Sequence, residues 1–233
     1  TVRVLPFLDL VLAWNTGISY GWFQDSGPVG QTVLLPVGCG TWVTHLNAPA
    51  DKLIPLPDAD PQQLAMMTIN PPTASLLLSQ FVDLQPGDWV IQNAANSGVG
   101  GYLIQLAKLR GFKTINVVRR ESAVAGVKAE GGDVVLVDGP DLHKRVREAT
   151  GGAKLMLGID AIGGPATDHI AACLSEGGTL VNYGLMSGQP CQVSAASFVF
   201  RDVTLRGFWL AKWFQKATPF CTLAMVGFAF TSL

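Results

Sequence analysis

At 233 residues the chain holds enough material for one full α/β domain and part of another. With 48% hydrophobic and only 14% charged residues it has the composition of a globular protein with a large core, which excludes a disordered chain. A formal net charge of −1 provides no electrostatic footprint for nucleic acid or an anionic membrane surface, so neither is expected as a partner.

The first thirty residues give few signals. Val4–Trp14 is apolar, but Asp9 interrupts it and it is too short to span a bilayer. A signal peptide needs a basic start, an unbroken apolar core and a small-residue cleavage site, so none is expected here. Val33–Pro36 reads as a strand. Asp60, Gln62 and Gln63 open a helix whose apolar stripe includes Leu64, Ala65 and Met67. Leu76, Leu77, Leu78 and Phe81 continue a helix up to the turn at Pro86-Gly87.

The strongest pattern lies between Asp88 and Arg120. An apolar run (Trp89, Val90, Ile91) is followed by a small-residue loop from Asn93 to Gly101. Leu103, Ile104, Leu106, Ala107 and Leu109 then recur at helical spacing, and Thr114–Val118 is a second apolar run. Strand, tight loop, helix and strand make one βαβ unit of the kind that binds dinucleotides. Gly98 and Gly100 would let a pyrophosphate approach the unpaired N–H groups and positive dipole end of the helix. The full fingerprint has three glycines; here there are two, with Ala95 near the first position. A tight turn in any α/β domain would read the same way.

The end of the second strand narrows the choice. An NAD site places an acidic residue there for the ribose 2′-hydroxyl, whereas this chain has Arg119 and Arg120. Guanidinium groups donate paired, charge-assisted hydrogen bonds suited to a 2′-phosphate, which favours NADPH over NADH. Two solvated arginines are the alternative.

Beyond Arg120 the alternation continues. Helices are predicted over Ser122–Glu130, Leu142–Ala149 and from Gly163-Gly164 through Leu174. Strands are predicted over Val134–Val137, Lys154–Ile162 and Gly178–Tyr183, with a last strand ending at Phe208-Trp209-Leu210. Such alternation implies parallel pairing with right-handed crossovers and a ligand along the carboxyl ends of the strands. Glu121, Asp133, Asp138, Asp141 and Asp160 read as surface charges and turn formers. The four cysteines (Cys39, Cys173, Cys191, Cys221) and three histidines (His45, His143, His169) do not cluster, so free thiols in a reducing compartment and no metal site are expected.

The runs N-A-A-N-S-G-V-G (Asn93–Gly100) and T-I-N-V-V-R-R (Thr114–Arg120) resemble the mitochondrial and bacterial enoyl-thioester reductases. These are the trans-2-enoyl-CoA or enoyl-acyl-carrier-protein reductases, a zinc-free branch of the medium-chain dehydrogenase/reductase superfamily. T-I-N-P-P-T-A (Thr68–Ala74), N-Y-G-L-M-S (Asn182–Ser187) and L-R-G-F-W-L (Leu205–Leu210) agree, in the family's order. The resemblance covers most of the chain and fades at both ends.

It implies a Rossmann-type doubly wound parallel sheet with a partial chaperonin-10-like β-barrel domain. The expected division is residues 1–70 for the partial barrel, 71–213 for the NADP-binding domain and 214–233 for an aberrant or truncated tail. It implies that Asn96, Ser97, Gly98 and Val99 hold the cofactor phosphates, and that Arg119 and Arg120, with Glu121 beside them, hold the adenosine end. Asn70, Tyr183, Gly184, Leu185, Met186, Phe208, Trp209, Leu210 and Ala211 frame the nicotinamide. Two positions depart from the family: Ser75 stands where a tyrosine is common, removing one wall of the pocket, and Leu185 stands where glycine is common. Tyr20, in a Tyr-Gly step, is the candidate proton donor.

The activity implied is NADPH-dependent reduction of a 2-enoyl thioester on CoA or acyl carrier protein. The site is cytoplasmic in a bacterium and the mitochondrial matrix in a eukaryote, and an intact Rossmann domain is expected to form a homodimer. A zinc-free NADPH quinone oxidoreductase and a catalytically dead NADP-binding fragment are the alternatives.

Overall fold

The computed structural model describes residues 2–5, 8–10, 22–23, 33–35, 46, 48–49, 53–56 and 58–217. The expectations for Tyr20, Cys39, His45 and the tail beyond residue 217 lie outside the described residues. The chain divides into two compact units, Thr1–Thr68 and Ile69–Leu233.

In the first unit every described strand pair is antiparallel. Strands β1 (Val2–Leu5) and β2 (Leu8–Leu10) form a hairpin, and β3 (Trp22–Phe23), β4 (Val33–Leu34) and β5 (Ile54–Pro55) form a three-stranded sheet in that order. These short strands are what is described of the partial barrel. Helix α1 (Pro61–Met66) follows and buries Leu64, with Met67 buried just beyond it.

The second unit is built on six strands: β6 (Trp89–Gln92), β7 (Lys113–Val118), β8 (Val134–Val137), β9 (Leu155–Asp160), β10 (Thr179–Asn182) and β11 (Thr204–Gly207). All neighbours are parallel, in the order β11-β10-β9-β6-β7-β8. The chain therefore winds outward from β6 to one edge, returns to the centre at β9, and winds to the other edge. This is the doubly wound topology, and the crevice where the winding reverses lies between β6 and β9.

Both faces of the sheet are covered, which is why its strands are continuous apolar runs rather than alternating ones. Ile91, Ile115, Leu155 and Leu180 face one core, shared with helices α5 (Leu142–Thr150) and α6 (Pro165–Cys173). Val90, Leu157, Ile159 and Val181 face the other, shared with α2 (Asn70–Leu77) and α3 (Gly98–Leu109). Helix α2 is buried along its whole length, and its Pro71 and Pro72 fall in the first turn, where a missing N–H costs nothing. The Ser75 hydroxyl receives a hydrogen bond from the Arg110 guanidinium at 2.6 Å, tying α2 to the end of α3.

Three sequence readings change. The last strand stops at Gly207; Phe208 and Trp209 form a connection, and Leu210 and Ala211 begin helix α8 (Leu210–Lys216). A further helix, α7 (Ala195–Arg201), precedes that strand. Asp160, read as a surface charge, is fully buried. No helix among the described residues is long and apolar enough to cross a membrane.

Candidate functional site

The turn between β6 and α3 is set by buried polar groups. Gln92, the last residue of β6, donates to Asn116 Oδ1 of β7 at 2.9 Å and to the Gly100 carbonyl at 3.1 Å, so the first turn of α3 is fastened to the sheet. Ser97 caps α3 by accepting the Gly100 N–H at 3.2 Å. A Cβ on Gly100 would collide with the Ala95 carbonyl. That glycine is therefore required for the helix to pack on its own turn. Ala94 holds φ at +49°, in the left-handed region that glycine occupies without strain.

These contacts leave the exposed Asn96 at the mouth of a cavity of about 660 Å³. Arg119, Arg120, Ser122 and Ala123 line it beyond β7, and Ile162, Met186 and Ser187 line its opposite wall, with Ala94 at the turn. The structure thus brings Asn96, Arg119, Arg120 and Met186 around one space at the carboxyl ends of the strands. Glu121, though adjacent to the arginines, does not line it. Ala94, Ser122, Ile162 and Ser187 were not singled out from the sequence.

A larger hollow, about 820 Å³, opens at the other end of the sheet, beside His143, Arg147, Gly151 and the start of β9. Doubly wound sheets take their ligands at the carboxyl ends, so the smaller cavity is the candidate site.

Tyr183 joins the two sides of the crevice. It follows β10, and its hydroxyl is hydrogen-bonded to the side chain of Ser97; burial pushes the phenol up to about 12. At neutral pH it keeps its proton. Gly184 lies so close to the Ala161 carbonyl that a Cβ would sit 2.6 Å from it. Leu185 and Met186 are exposed, at 61% and 70%.

The remaining candidates lie apart from this cavity. Val99 packs against the core shared by α2 and α3. Asn70 is buried at the start of α2. Phe208 packs edge-to-face on Phe81 with centroids 5.9 Å apart, whereas Trp209 is 69% exposed.

Asp160, at the end of β9, gathers the crevice. Its Oδ1 accepts from Asn93 Nδ2 at 2.6 Å, Ile162 N–H at 2.8 Å and Gly163 N–H at 3.1 Å. Its Oδ2 accepts from Thr167 Oγ1 at 2.7 Å and Asn182 Nδ2 at 2.9 Å. Asn182 Nδ2 also donates to the Gly184 carbonyl at 2.9 Å. Five donors on one carboxylate explain how the group is tolerated in the interior.

The arrangement can hold an anionic nucleotide: two guanidiniums and the hydroxyls of Ser122 and Ser187 lie around one cavity, and Asn96, which also lines it, leads directly into the N-terminus of α3. Among the described residues no three His, Cys, Asp or Glu side chains come together as a metal site, so no zinc set is assigned to them.

The chain is similar to known proteins in both sequence and structure. The mitochondrial enoyl-[acyl-carrier-protein] reductase of Dictyostelium discoideum is 40% identical over 188 residues, covering 77% of this chain and 53% of its own length. The chain thus spans about half the length of the curated relatives it matches. Among solved structures, a variant of Etr1p in complex with NADP and crotonyl-CoA superposes with a TM-score of 0.80 at 26% identity, over 91% of this chain and 67% of that one. The Etr1p/Etr2p heterodimer, a mitochondrial 2-enoyl thioester reductase from Candida tropicalis, gives 0.80 at 27% identity, over 92% and 68%. The resemblance to enoyl-thioester reductases is therefore borne out by relatives in both sequence and structure. Residues 98–224, more than half of the chain, match the family described as zinc-binding dehydrogenase, and the chain belongs to that family.

Proposed function

We propose that this chain is an NADPH-dependent reductase of 2-enoyl thioesters, carried on CoA or acyl carrier protein, and that it works in mitochondrial fatty acid synthesis. The observation that carries the reading is the convergence of Asn96, Arg119 and Arg120 on one cavity at the carboxyl ends of β6 and β7. The relatives' names and the NADP and crotonyl-CoA of the Etr1p complex support it.

Each part of the site then has a role. Arg119 and Arg120 hold the 2′-phosphate, and Asn96, Ser97, Gly98 and Val99 present the turn and helix end to the diphosphate. Tyr183, Gly184, Leu185 and Met186 flank the nicotinamide ribose, with Asn70, Phe208, Trp209, Leu210 and Ala211 bordering the reacting end. When bound, the reduced nicotinamide supplies a hydride for the β-carbon of the enoyl thioester. Tyr20 gives its hydroxyl proton to the α-carbon, so the double bond becomes single.

A homodimer is part of the proposal. Strand β11 is an edge of the sheet, and Val199 and Phe200 on α7 beside it are 70% and 80% exposed, an apolar surface that a second copy would cover. The heterodimeric assembly of the Candida relative supports it.

Titrating the protein with NADPH by fluorescence, alongside reduction of crotonyl-CoA followed by NADPH absorbance, tests the reading. Binding with turnover is the expected result. Turnover of quinones without enoyl thioesters would assign the quinone reductase alternative, and binding without either would assign a nucleotide-binding fragment. No binding would defeat all three.

A further inference from the structure

Asp160 does not itself line the cavity, yet groups on both sides of the crevice are held through it. Through Oδ1 it fixes Asn93, at the start of the phosphate turn, and the backbone of Gly163 and of Ile162, which lines the adenosine cavity. Through Oδ2 and Asn182 it fixes the Gly184 carbonyl, and with it the Tyr183–Leu185 stretch, none of which lines the adenosine cavity. The two oxygens thus serve different ends of the crevice. Resting on the NADPH reading, we propose that Asp160 is a positioning residue whose Oδ2 sets the nicotinamide-side loop independently of the adenosine-side cavity.

The chemistry of the five partners makes the proposal specific. Ile162 and Gly163 offer backbone N–H groups that can only donate, and Asn93 donates because its oxygen accepts the Ala161 N–H; the Thr167 hydroxyl can turn round and accept, and the Asn182 amide can accept only by reversing. In the variant Asp160→Asn the new amide nitrogen cannot take the Oδ1 place, where it would confront three N–H donors. It takes the Oδ2 place, where Thr167 can accept from it but Asn182 Nδ2 opposes it. If the Asn182 amide reverses, its oxygen accepts from residue 160 and then faces the Gly184 carbonyl. In either arrangement the loop loses one of the two hydrogen bonds that pass through Asn182. The Oδ1 contacts survive, so the damage is confined to the nicotinamide side.

The test compares two ligands on the full chain: NADPH, and adenosine 2′,5′-bisphosphate, which has no nicotinamide. Asp160→Asn and Asn182→Ala are each expected to weaken NADPH about fivefold to tenfold and to leave the bisphosphate within about twofold. The double variant is expected to be no worse than Asn182→Ala alone, because both substitutions break one connection. Equal weakening of the two ligands, or additive losses in the double variant, would overturn the proposal and leave Asp160 a packing residue. Should Asp160→Asn fail to fold, Asn182→Ala, at a half-buried site, decides alone: the same ligand split supports the proposal and its absence refutes it. If the wild-type chain binds neither ligand, the NADPH reading has failed and this inference fails with it; a wild type that binds both but shows no split in the variants condemns only the inference.

Discussion

Asn93 and Asp160 are 67 residues apart in sequence, and the amide of one donates to the carboxylate of the other at 2.6 Å, at the point where the winding of the sheet reverses. Asn93 Oδ1 in turn accepts the Ala161 N–H at 2.8 Å. One side chain therefore closes the ends of β6 and β9 with its donor and its acceptor. Replacing it with aspartate keeps the shape and removes the donor, setting two buried carboxylates against each other. Asn93→Asp is expected to cost about 3–5 kcal/mol of stability, measured by urea unfolding. A loss below about 1 kcal/mol would contradict the buried pairing.

Arg119→Ala is expected to weaken NADPH about tenfold to a hundredfold, the range for a charge-assisted contact to phosphate. NADH, which lacks that phosphate, is expected to change by less than about twofold. Equal weakening of both nucleotides would remove Arg119 from the 2′-phosphate site. Because Glu121 does not line the cavity, Glu121→Gln is expected to leave both affinities unchanged.

Two glycines in neighbouring helices separate packing from propensity. Gly100→Ala drives a methyl into the Ala95 carbonyl and is expected to destabilise by about 1–3 kcal/mol, with loss of nucleotide binding as the turn shifts. Gly126 lies mid-helix in α4 (Val124–Ala129) with open space around its Cα. Gly126→Ala is expected to stabilise by about 0.5–1 kcal/mol. Thermal unfolding of both variants checks the pair.

The Tyr183 phenol titrates higher in the folded protein, near 12, than its ordinary value of 10. A group that holds its proton more tightly when folded adds no pH dependence below the unfolded value. Its contribution is lost as pH rises from about 10 through 12, because the unfolded chain ionises first. Tyr183→Phe removes that loss. The urea midpoints of wild type and variant are expected to keep a constant difference from pH 7 to 9, and the wild-type midpoint to fall relative to that of the variant above 10. A difference that is constant throughout would mean the phenol is not perturbed by burial.

Much of the second unit was legible in the sequence because its signals are local. The βαβ unit shows itself through a small-residue turn between two apolar runs, and Arg119 and Arg120 through their place one step past a strand. Asp160 was not legible. An aspartate closing L-M-L-G-I-D looks like any turn former, and two of the five donors that make its interior position tolerable, Asn93 and Asn182, are brought in by the fold from distant parts of the chain. Phe208–Leu210 failed for a different reason: a short apolar run is strand and helix alike by periodicity, and here the strand ends before it. Ser122 and Ile162 join the cavity through the pairing of β7 and the turn after β9, which no local pattern announces.

The seam at the middle of the sheet also governs how the chain reaches its structure. Contacts such as Gln92 with Asn116 span 24 residues and can form within one half of the sheet, whereas the β6–β9 pairing must close a far longer loop. Since long-range closures slow folding, the step that joins the halves is the slow one. The nucleotide crevice lies on that junction, so it is expected to form late as the chain folds and to be lost when the halves part.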